Sequence, residues 1–379
     1  MKSFKRIISS LFIFGMLAAL VMMTGCSQGD NLEDLSVIEG VGIDLDGDSV
    51  TATVQALNLI KEGSGAEALS GNVTMNAVGT GHTISAAIER VSKNTSKKLF
   101  FGQNRIIVFG MNMAENYLDK SLDYLLRSSH SRSDVTIAVA RDKASEIMES
   151  PENDSLVPAQ TISTLLSQSE KIGYGAHVTA KELLNVYADK TSDIYLPVLA
   201  QEGESVSVVG VAVYNDVKLA KILNEDETYG FLFLRGKVER GLLEISDNSL
   251  GRIGTEIISS KSKAKAEYEN GRVIFKVDIN VTAMLNEIEF GISDKVSDSE
   301  IKSIEKLAEK EIERLCKIAF DACMQNKSDA VRMGEYLAMY DPKAYEKLSD
   351  NWEQSLETAE LQVNAKFRLG KINDNTEGN

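Results

Sequence analysis

Residues 98 to 110 of the chain read KLFFGQNRIIVFG, an apolar loop that leads into a short, fully apolar strand. The β-branched and aromatic residues from Ile106 to Phe109, bounded by polar residues and Gly110, are typical of a buried strand. Apolar residues at helical spacing occur both before and after this strand, and another apolar strand begins at Val135. The order strand, helix, strand predicts parallel strands joined by helical crossovers.

Helices beside this strand are predicted from caps and from apolar positions that share one face. Thr83 is suited to cap the first helix, and Asn112 with Glu115 is a capping pattern for the second. The inward positions are Ile84, Ala87, Ile88 and Val91 in the first helix and Leu118, Leu122 and Leu125 in the second. Thr179 and Glu182 form a capping box for a further helix.

Alternation of apolar and polar residues predicts antiparallel hairpins in both halves of the chain. Residues 37 to 44 and 49 to 59 flank Asp46-Gly47-Asp48, which is a turn sequence. Further hairpins are predicted around Asn215-Asp216 and Asn270-Gly271. Asn-Gly is the strongest of these turn signals.

The second half also contains a long helix and a final strand. Ser297 and Glu300 form a capping box, and the apolar stripe behind it is Ile301, Ile304, Ala308, Ile312, Leu315, Ala319 and Ala322. Residues 361 to 369 alternate as a strand does, and an apolar run from 229 to 234 lies among strand patterns. We therefore predict a multi-domain α+β or mixed α/β fold, with mixed sheets, packed helices and a C-terminal antiparallel sheet crossed by the long helix.

The chain divides near residue 200, where Tyr195-Leu196-Pro197 interrupts the pattern. A chain of 379 residues is longer than one hydrophobic core normally supports. We expect an N-terminal domain over residues 26 to 200, a C-terminal domain over residues 201 to 379, and a sub-boundary near residue 250.

The first 26 residues have the pattern of a bacterial lipoprotein signal peptide. Three of the first six residues are basic, and the seventeen residues from 7 to 23 carry no charge. Met23-Thr24-Gly25-Cys26 resembles a lipobox, in which the peptide is cut before the cysteine and the thiol takes a diacylglyceryl group. We expect residues 1 to 25 to be removed and Cys26 to be lipidated. The alternative is an uncleaved transmembrane anchor, for which this apolar segment is barely long enough.

The net charge limits the partners of the chain. It is −15 for the whole sequence, and loss of the three basic residues of the signal peptide lowers it to −18. This balance argues against nucleic acid or an anionic lipid surface as the partner. Since no later apolar run approaches eighteen residues, the remainder is expected to be tethered outside the cytoplasm without spanning the membrane.

The sequence contains no familiar catalytic, metal-binding or cofactor-binding motif. His82, His130 and His177 are isolated, and neither a G-x-S-x-G elbow nor a phosphate-binding loop occurs. Cys316 and Cys323 are seven residues apart in the predicted long helix, a rise of about 10.5 Å, which is too far for a disulfide. We expect buried thiols, no cofactor, no metal and no enzymatic activity.

Several stretches together resemble the Ger(x)C family, the lipoprotein C subunits of spore germinant receptors. The stretches are LSVIEGVGID (35 to 44), KLFFGQNRIIVFG (98 to 110), LDYLLR (122 to 127), VGVAVYNDVK (209 to 218), EDETYG (225 to 230) and 329 to 352 with Gly334, Pro342 and Trp352. The chain differs from the family directly after Cys26, where Ser27-Gln28 stands in place of Trp-Asp.

The resemblance implies a non-enzymatic subunit that acts in spore germination. It would work with two integral membrane subunits, A and B, and would be held by its lipid on the outer face of the spore inner membrane. The first alternative is a lipid-anchored extracytoplasmic solute-binding protein, and the second is an anchored hydrolase without a recognisable motif. The sequence does not name the nutrient.

Two aromatic sites remain as candidates for contact with partners. Phe100 and Phe101 lie in the apolar loop beside Lys97 and Lys98, and we expect this loop to dock on the membrane subunits. The alternative is that both phenylalanines belong to the core. Trp352 is expected to be structural, with an exposed partner anchor as its alternative.

Overall fold

The computed structural model describes residues 34–57, 74–128, 132–150, 157–248, 250–289 and 296–370. Within these ranges the strands form two sheets, one of ten strands and one of four. The first sheet contains β1 (Leu35–Asp46), β2 (Ser49–Leu57), β3 (Thr74–Gly81), β4 (Lys98–Phe100), β5 (Ile106–Phe109), β6 (Thr136–Ala140), β7 (Val178–Thr179), β8 (Tyr195–Glu202), β9 (Ser205–Asn215) and β10 (Lys218–Leu223). The second contains β11 (Gly241–Asp247), β12 (Gly251–Glu269), β13 (Arg272–Ile288) and β14 (Glu360–Leu369).

The first sheet has a parallel centre and antiparallel ends. β1, β5, β6 and β8 run side by side in one direction. The pair β2 and β3 extends the sheet beyond β1, and the pair β9 and β10 extends it beyond β8. The crossovers predicted around residues 98 to 110 are confirmed, as are the hairpins at Asp46-Gly47-Asp48 and Asn215-Asp216.

Helices cover both faces of this sheet in the part of the chain that is described. They are α1 (Ile84–Val91), α2 (Met111–Asn116), α3 (Leu118–Arg127), α4 (Ala144–Glu149), α5 (Pro158–Ile172) and α6 (Ala180–Asp189). Every residue of β5 is buried, since Ile107 and Phe109 belong to one core and Ile106 and Val108 to another. Burial on two faces explains why this strand reads as a continuous apolar run.

Two of the predicted helix starts are confirmed and one is wrong. Thr83 accepts a hydrogen bond from Ala86 N at 3.1 Å, and Thr179 caps α6. Asn112 does not cap a helix; it lies inside α2, and its amide donates to the carbonyl of Leu45 at 3.4 Å. A separate helix, α3, begins at Leu118, and its predicted inward leucines are buried.

The second sheet is antiparallel except for its last strand. β11, β12 and β13 alternate in direction, and the turn between β12 and β13 is Asn270-Gly271, as predicted. The predicted C-terminal antiparallel sheet is thus present in β11 to β13, and β14 differs from the prediction because it runs parallel to β13. Helices α8 (Asp298–Gln325), α9 (Met333–Tyr340), α10 (Pro342–Leu348) and α11 (Trp352–Glu357) separate the two strands. A connection of this length returns the chain to the start of β13, which a tight hairpin could not do.

The apolar run from 229 to 234 is helical and lies between the two sheets. It ends α7 (Glu225–Leu234), which Asn224 and Glu227 open with a capping box. The Phe231 ring lies 5.4 Å from that of Tyr195 at the start of β8, and the carbonyl of Phe233 accepts a hydrogen bond from Ser262 of β12 at 2.8 Å. Because α7 contacts both sheets, its second half, from Gly230 to Leu234, is buried on all sides.

The main hydrophobic core extends across the boundary that the sequence suggests near residue 200. β8 contains that residue, and the hairpin of β9 and β10 continues the first sheet to Leu223. One buried cluster includes residues of both sheets and of α8. The division at 200 and the sub-boundary near 250 remain predictions, and residue 250 lies in the turn between β11 and β12.

The long helix α8 packs on the inner face of the second sheet and also protects its edge. The capping box of Ser297 and Glu300 opens α8, as predicted. Three of its carboxylates accept hydrogen bonds from backbone N–H groups of β14: Glu313 from Ala365 at 3.2 Å, Glu309 from Phe367 at 3.3 Å and Glu305 from Leu369 at 2.9 Å. Four residues of helix rise about 6 Å and two residues of strand about 6.8 Å, so three successive pairs stay in step.

Candidate functional site

The parallel strands of the first sheet bring several features to one edge. The amino ends of β1, β5, β6 and β8 meet there, and we call it the amino edge. The described chain enters the fold at this edge, where Leu35 pairs with Lys98 of β4. Asp193 lies two residues before β8 and therefore at the same edge. The entry of the chain, the β4 loop and the link to the second sheet are thus neighbours.

The structure separates the two phenylalanines that the sequence treats as a pair. Phe101 is 7% exposed and belongs to the main core, whereas Phe100 is 41% exposed. The following residue, Gly102, lies against the Phe100 ring, and its carbonyl accepts a hydrogen bond from Arg132 at 2.6 Å. Phe101 is therefore part of the core, and Phe100 is the member of the pair that a partner can reach; docking through this loop remains a prediction.

A groove of about 1390 Å³ lies beside the β4 loop, between α1 and α3. Its apolar lining comes from the first hairpin, both helices and the loop: Leu45, Val50, Ile84, Ile88, Leu99, Phe101, Met113, Tyr117 and Tyr124. Charged residues of both signs surround it, namely Asp48, Glu89, Asp119, Asp123, Lys98, Lys120 and Arg127. An apolar floor with a charged rim suits an amphipathic segment of a partner.

Two contacts fix the rim of the groove on the α3 side. The ammonium group of Lys120 lies 3.7 Å from the centre of the Tyr117 ring, and Arg127 pairs with Asp123 at 2.7 Å. Both contacts lie on the exposed side of α3, and the second is an i, i+4 pair of small energetic weight.

A second feature of the amino edge is a buried carboxylate that links the two sheets. Asp329 is 0% exposed and accepts hydrogen bonds from Met333 N at 2.7 Å, Gly334 N at 2.6 Å and the indole of Trp352 at 3.1 Å. Its own N–H donates to Asp193 at 2.6 Å, and Asp193 also accepts from Asp216 N at 2.9 Å. The start of α9, the Trp352 side chain and the β9–β10 turn therefore meet at two aspartates.

Burial of these two aspartates raises their pKa values. Burial raises the pKa of Asp329 to about 8, although the N–H groups of Gly334 and Met333 act in the opposite direction. Burial also raises the pKa of Asp193. Sequence reasoning missed this pair because nothing local distinguishes Asp329 from the many other acidic residues. The expectation that Trp352 is structural agrees with its place here, packed against Tyr345 at 5.7 Å between ring centres.

The cysteines and histidines that the sequence offers as candidates lie in the core or form hydrogen bonds within the fold. Cys316 and Cys323 are free thiols within the core, and burial raises the pKa of both. His177 hydrogen-bonds Thr136 at 3.2 Å, and His82 lies 3.3 Å from the carbonyl of Asp48. Among the described residues, no group of three or more His, Cys, Asp or Glu side chains could hold a metal ion. Cys26 and His130 lie outside the described residues.

Comparison with known proteins covers nearly the whole chain. Residues 28–201 match the family model described as the spore germination protein N-terminal domain, and residues 209–373 match the one described as spore germination B3/GerAC-like, C-terminal. Spore germination protein KC of Bacillus subtilis is 24% identical over 93% of this chain and 92% of its own. Spore germination protein B3 of the same organism is 23% identical over 95% and 96%.

The fold has a counterpart among solved structures. The crystal structure of the GerBC protein superimposes with a TM-score of 0.59 and 19% identity, over 87% of this chain and 96% of that one. No helix in the described ranges is long and apolar enough to cross a membrane. The fold thus defines a multi-domain α+β protein with mixed sheets and packed helices. The chain belongs to the Ger(x)C family of spore germination proteins.

Proposed function

We propose that this chain is the lipid-anchored, non-enzymatic C subunit of a nutrient germinant receptor, working with integral membrane A and B subunits in spore germination. The match over both family domains carries the proposal, because it extends from residue 28 to residue 373. The relatives are named as spore germination proteins. The acceptor of the lipid would be Cys26, and the body would lie on the outer face of the spore inner membrane.

The position of the amino edge supports this anchoring. Residues 27 to 34 can span no more than about 30 Å when fully extended. The fold begins with Leu35 beside β4, so a lipid on Cys26 would hold the amino edge near the membrane. Two or more acyl chains would make the attachment lasting. Loops of the membrane subunits would then lie within reach of the exposed Phe100.

The lipid attachment is tested with Cys26→Ala in the full-length chain. Metabolic labelling with a fatty acid is expected to mark the wild type and not the variant, and the variant is expected to leave the membrane fraction or keep its signal peptide. The receptor is expected to lose its response in germination assays. Labelling retained in the variant would contradict the assignment of Cys26.

Docking through the β4 loop is tested by co-purification from detergent-extracted membranes. Phe100→Ser is expected to keep the melting temperature and to lose most of the two membrane proteins, because its side chain is exposed. Val78→Ser, with 43% exposure in the middle of β3, is the matched control and should keep them. Phe101→Ser should unfold the protein, since its ring is in the core. Full recovery of partners with Phe100→Ser would refute docking at this loop.

A further inference from the structure

The middle of the outer face of the second sheet, between a row with Glu256 and a row with Glu267 and Glu360, has a charge opposite to that of the protein. Three adjacent strands contribute four cross-strand rows there: Ser259, Thr282 and Arg368; Lys261, Asn280 and Lys366; Lys263, Asp278 and Asn364; Lys265, Lys276 and Gln362. Six of these twelve residues are basic and one is acidic, whereas the whole chain carries −15. All are exposed except Lys276, which is half-buried. We call the cations Lys261, Lys263, Lys265, Lys276, Lys366 and Arg368 the basic face.

The basic face extends over four rows of three strands, and part of its charge is unpaired. Rows lie about 6.8 Å apart and strands about 4.8 Å apart, so the six cations occupy roughly 20 by 10 Å. Lys265 and Lys276 pair with Glu267, and Asp278 accepts a hydrogen bond from Asn364 at 2.9 Å. Lys261, Lys263, Lys366 and Arg368 form no ion pair with any acid in the described part of the chain.

Exposed apolar side chains border this charge on one side. Leu242 and Met284 lie in one cross-strand row with Glu256 between them, and Ile258 lies at the neighbouring bulge of β12. They are 46%, 42% and 50% exposed. A sheet face with apolar side chains next to lysines has the composition of a surface that contacts lipid headgroups.

We propose that the basic face binds the anionic headgroups of the membrane to which the chain is tethered. This inference rests on the proposed function, because the lipid anchor is what would hold the chain beside a membrane. The occupant is a bilayer because the charge is spread over three adjacent strands beside exposed apolar side chains, and because five of the six cations are lysines, which are depleted at protein–protein interfaces. The remainder of the acidic body is repelled by such a surface, so this face is the one that can approach it.

The fold permits this orientation. β14 begins three residues after α11, whose first residue, Trp352, packs at the amino edge. Helix and strand geometry place the start of β14 within about 20 Å of Trp352. β14 thus starts within reach of the amino edge, and Lys366 lies six residues, about 20 Å, farther along the strand.

The test uses the chain from Ser27 to Asn379 without lipid, so its outcome does not depend on acylation at Cys26. Sedimentation with vesicles that mix phosphatidylglycerol and phosphatidylcholine is compared with sedimentation with phosphatidylcholine alone. Binding is expected only with the anionic vesicles, and at about 1 M salt it should be lost because the Debye length falls to about 3 Å. Equal binding to both vesicles, or to neither, overturns the proposal.

Substitutions locate the surface. Lys261→Gln with Lys366→Gln should weaken vesicle binding about 25-fold, since each lysine near an anionic surface contributes about fivefold. Lys302→Gln with Lys306→Gln removes two exposed charges from α8, on the other side of the sheet, and should change binding less than about twofold. Both variants should keep the wild-type melting temperature. If the first variant binds vesicles normally but loses the membrane proteins in co-purification, an acidic partner protein, and not lipid, uses this face.

Discussion

The two sheets differ in how many of their faces are covered. β5 and β6 of the first sheet are buried at every position and have a hydrophobic core on each side. β13 of the second sheet alternates, with Val277, Ile279 and Val281 buried and Asp278 and Asn280 exposed. A strand that is buried on both faces has a continuous apolar sequence, whereas a strand that is buried on one face alternates apolar and polar residues. The exposed positions of the second sheet can therefore carry charge without cost to the core.

The coupling between the sheets depends on α7, and the largest predicted effect is there. A Cβ at Gly230 would lie 1.9 Å from the carbonyl oxygen of Leu315 in α8, and backbone cannot yield easily. Gly230→Ala is expected to lower the free energy of unfolding by more than about 3 kcal/mol, measured by chemical denaturation. Because α7 contacts both sheets, the loss should appear in a single transition.

The control for this change is Gly370→Ala, whose new Cβ would meet nothing closer than 3.7 Å. It should alter the free energy of unfolding by less than about 0.5 kcal/mol. Two separate transitions for Gly230→Ala, with only one of them shifted, would mean that the sheets unfold as independent domains. That outcome would favour the division near residue 200.

The second prediction concerns the aromatic contact at the link between the sheets. Trp352→Ala removes a half-buried indole and one of three hydrogen bonds to Asp329, so the free energy of unfolding should fall by about 2 to 3 kcal/mol. Trp352→Phe keeps most of the packing and should lose about half as much. An unchanged melting curve for Trp352→Ala, with lost co-purification of the membrane proteins, would make this residue a partner anchor.

The sequence predicts those parts of the fold that depend on neighbouring residues. Turns such as Asn270-Gly271 and capping boxes such as Ser297 with Glu300 are local, and the structure has them where expected. Asn224 and Glu227 are the same local signal for α7, but the apolar run after them resembles a strand. The direction of β14 depends on the path of four helices, and no pattern within the strand encodes it.

The candidate sites were predictable only in part for a similar reason. The loop at Phe100 is visible in the sequence as an apolar stretch, but the burial of Phe101 depends on tertiary contacts, including those of its turn with β1. The two aspartates at Asp193 and Asp329 are 136 residues apart in sequence. The basic face requires the register of three strands, since net charge alone conceals it.

The third prediction is a pH dependence that arises from Asp329. Its pKa is raised to about 8 in the fold, so the folded protein holds a proton that the unfolded chain has released above about pH 5. Stability from this group is complete at low pH and is lost as the pH rises through 8. Between pH 6 and pH 8 the free energy of unfolding should fall by about 2 kcal/mol.

Asp329→Asn should flatten this dependence, because an amide does not titrate. An unchanged dependence in Asp329→Asn would assign it to other groups. A wild-type stability that rises between pH 6 and pH 8 would contradict the prediction, since it would require the folded state to bind fewer protons than the unfolded state.

The smallest predicted effect concerns β14, the edge strand of the second sheet. Glu309 accepts a hydrogen bond from Phe367 N, in the middle of the three pairs that join α8 to β14. Glu309→Ala should lower the free energy of unfolding by about 1 kcal/mol, and Glu309→Gln by less because its carbonyl oxygen can still accept. Lys310→Ala, an exposed neighbour on α8, should have no measurable effect.

An unpaired edge can also recruit another strand, so the triple variant of Glu305, Glu309 and Glu313 to Ala should aggregate on concentration, as measured by light scattering. If it stays monomeric, the three carboxylates do not protect the edge, and the helix packed above β14 does so by itself.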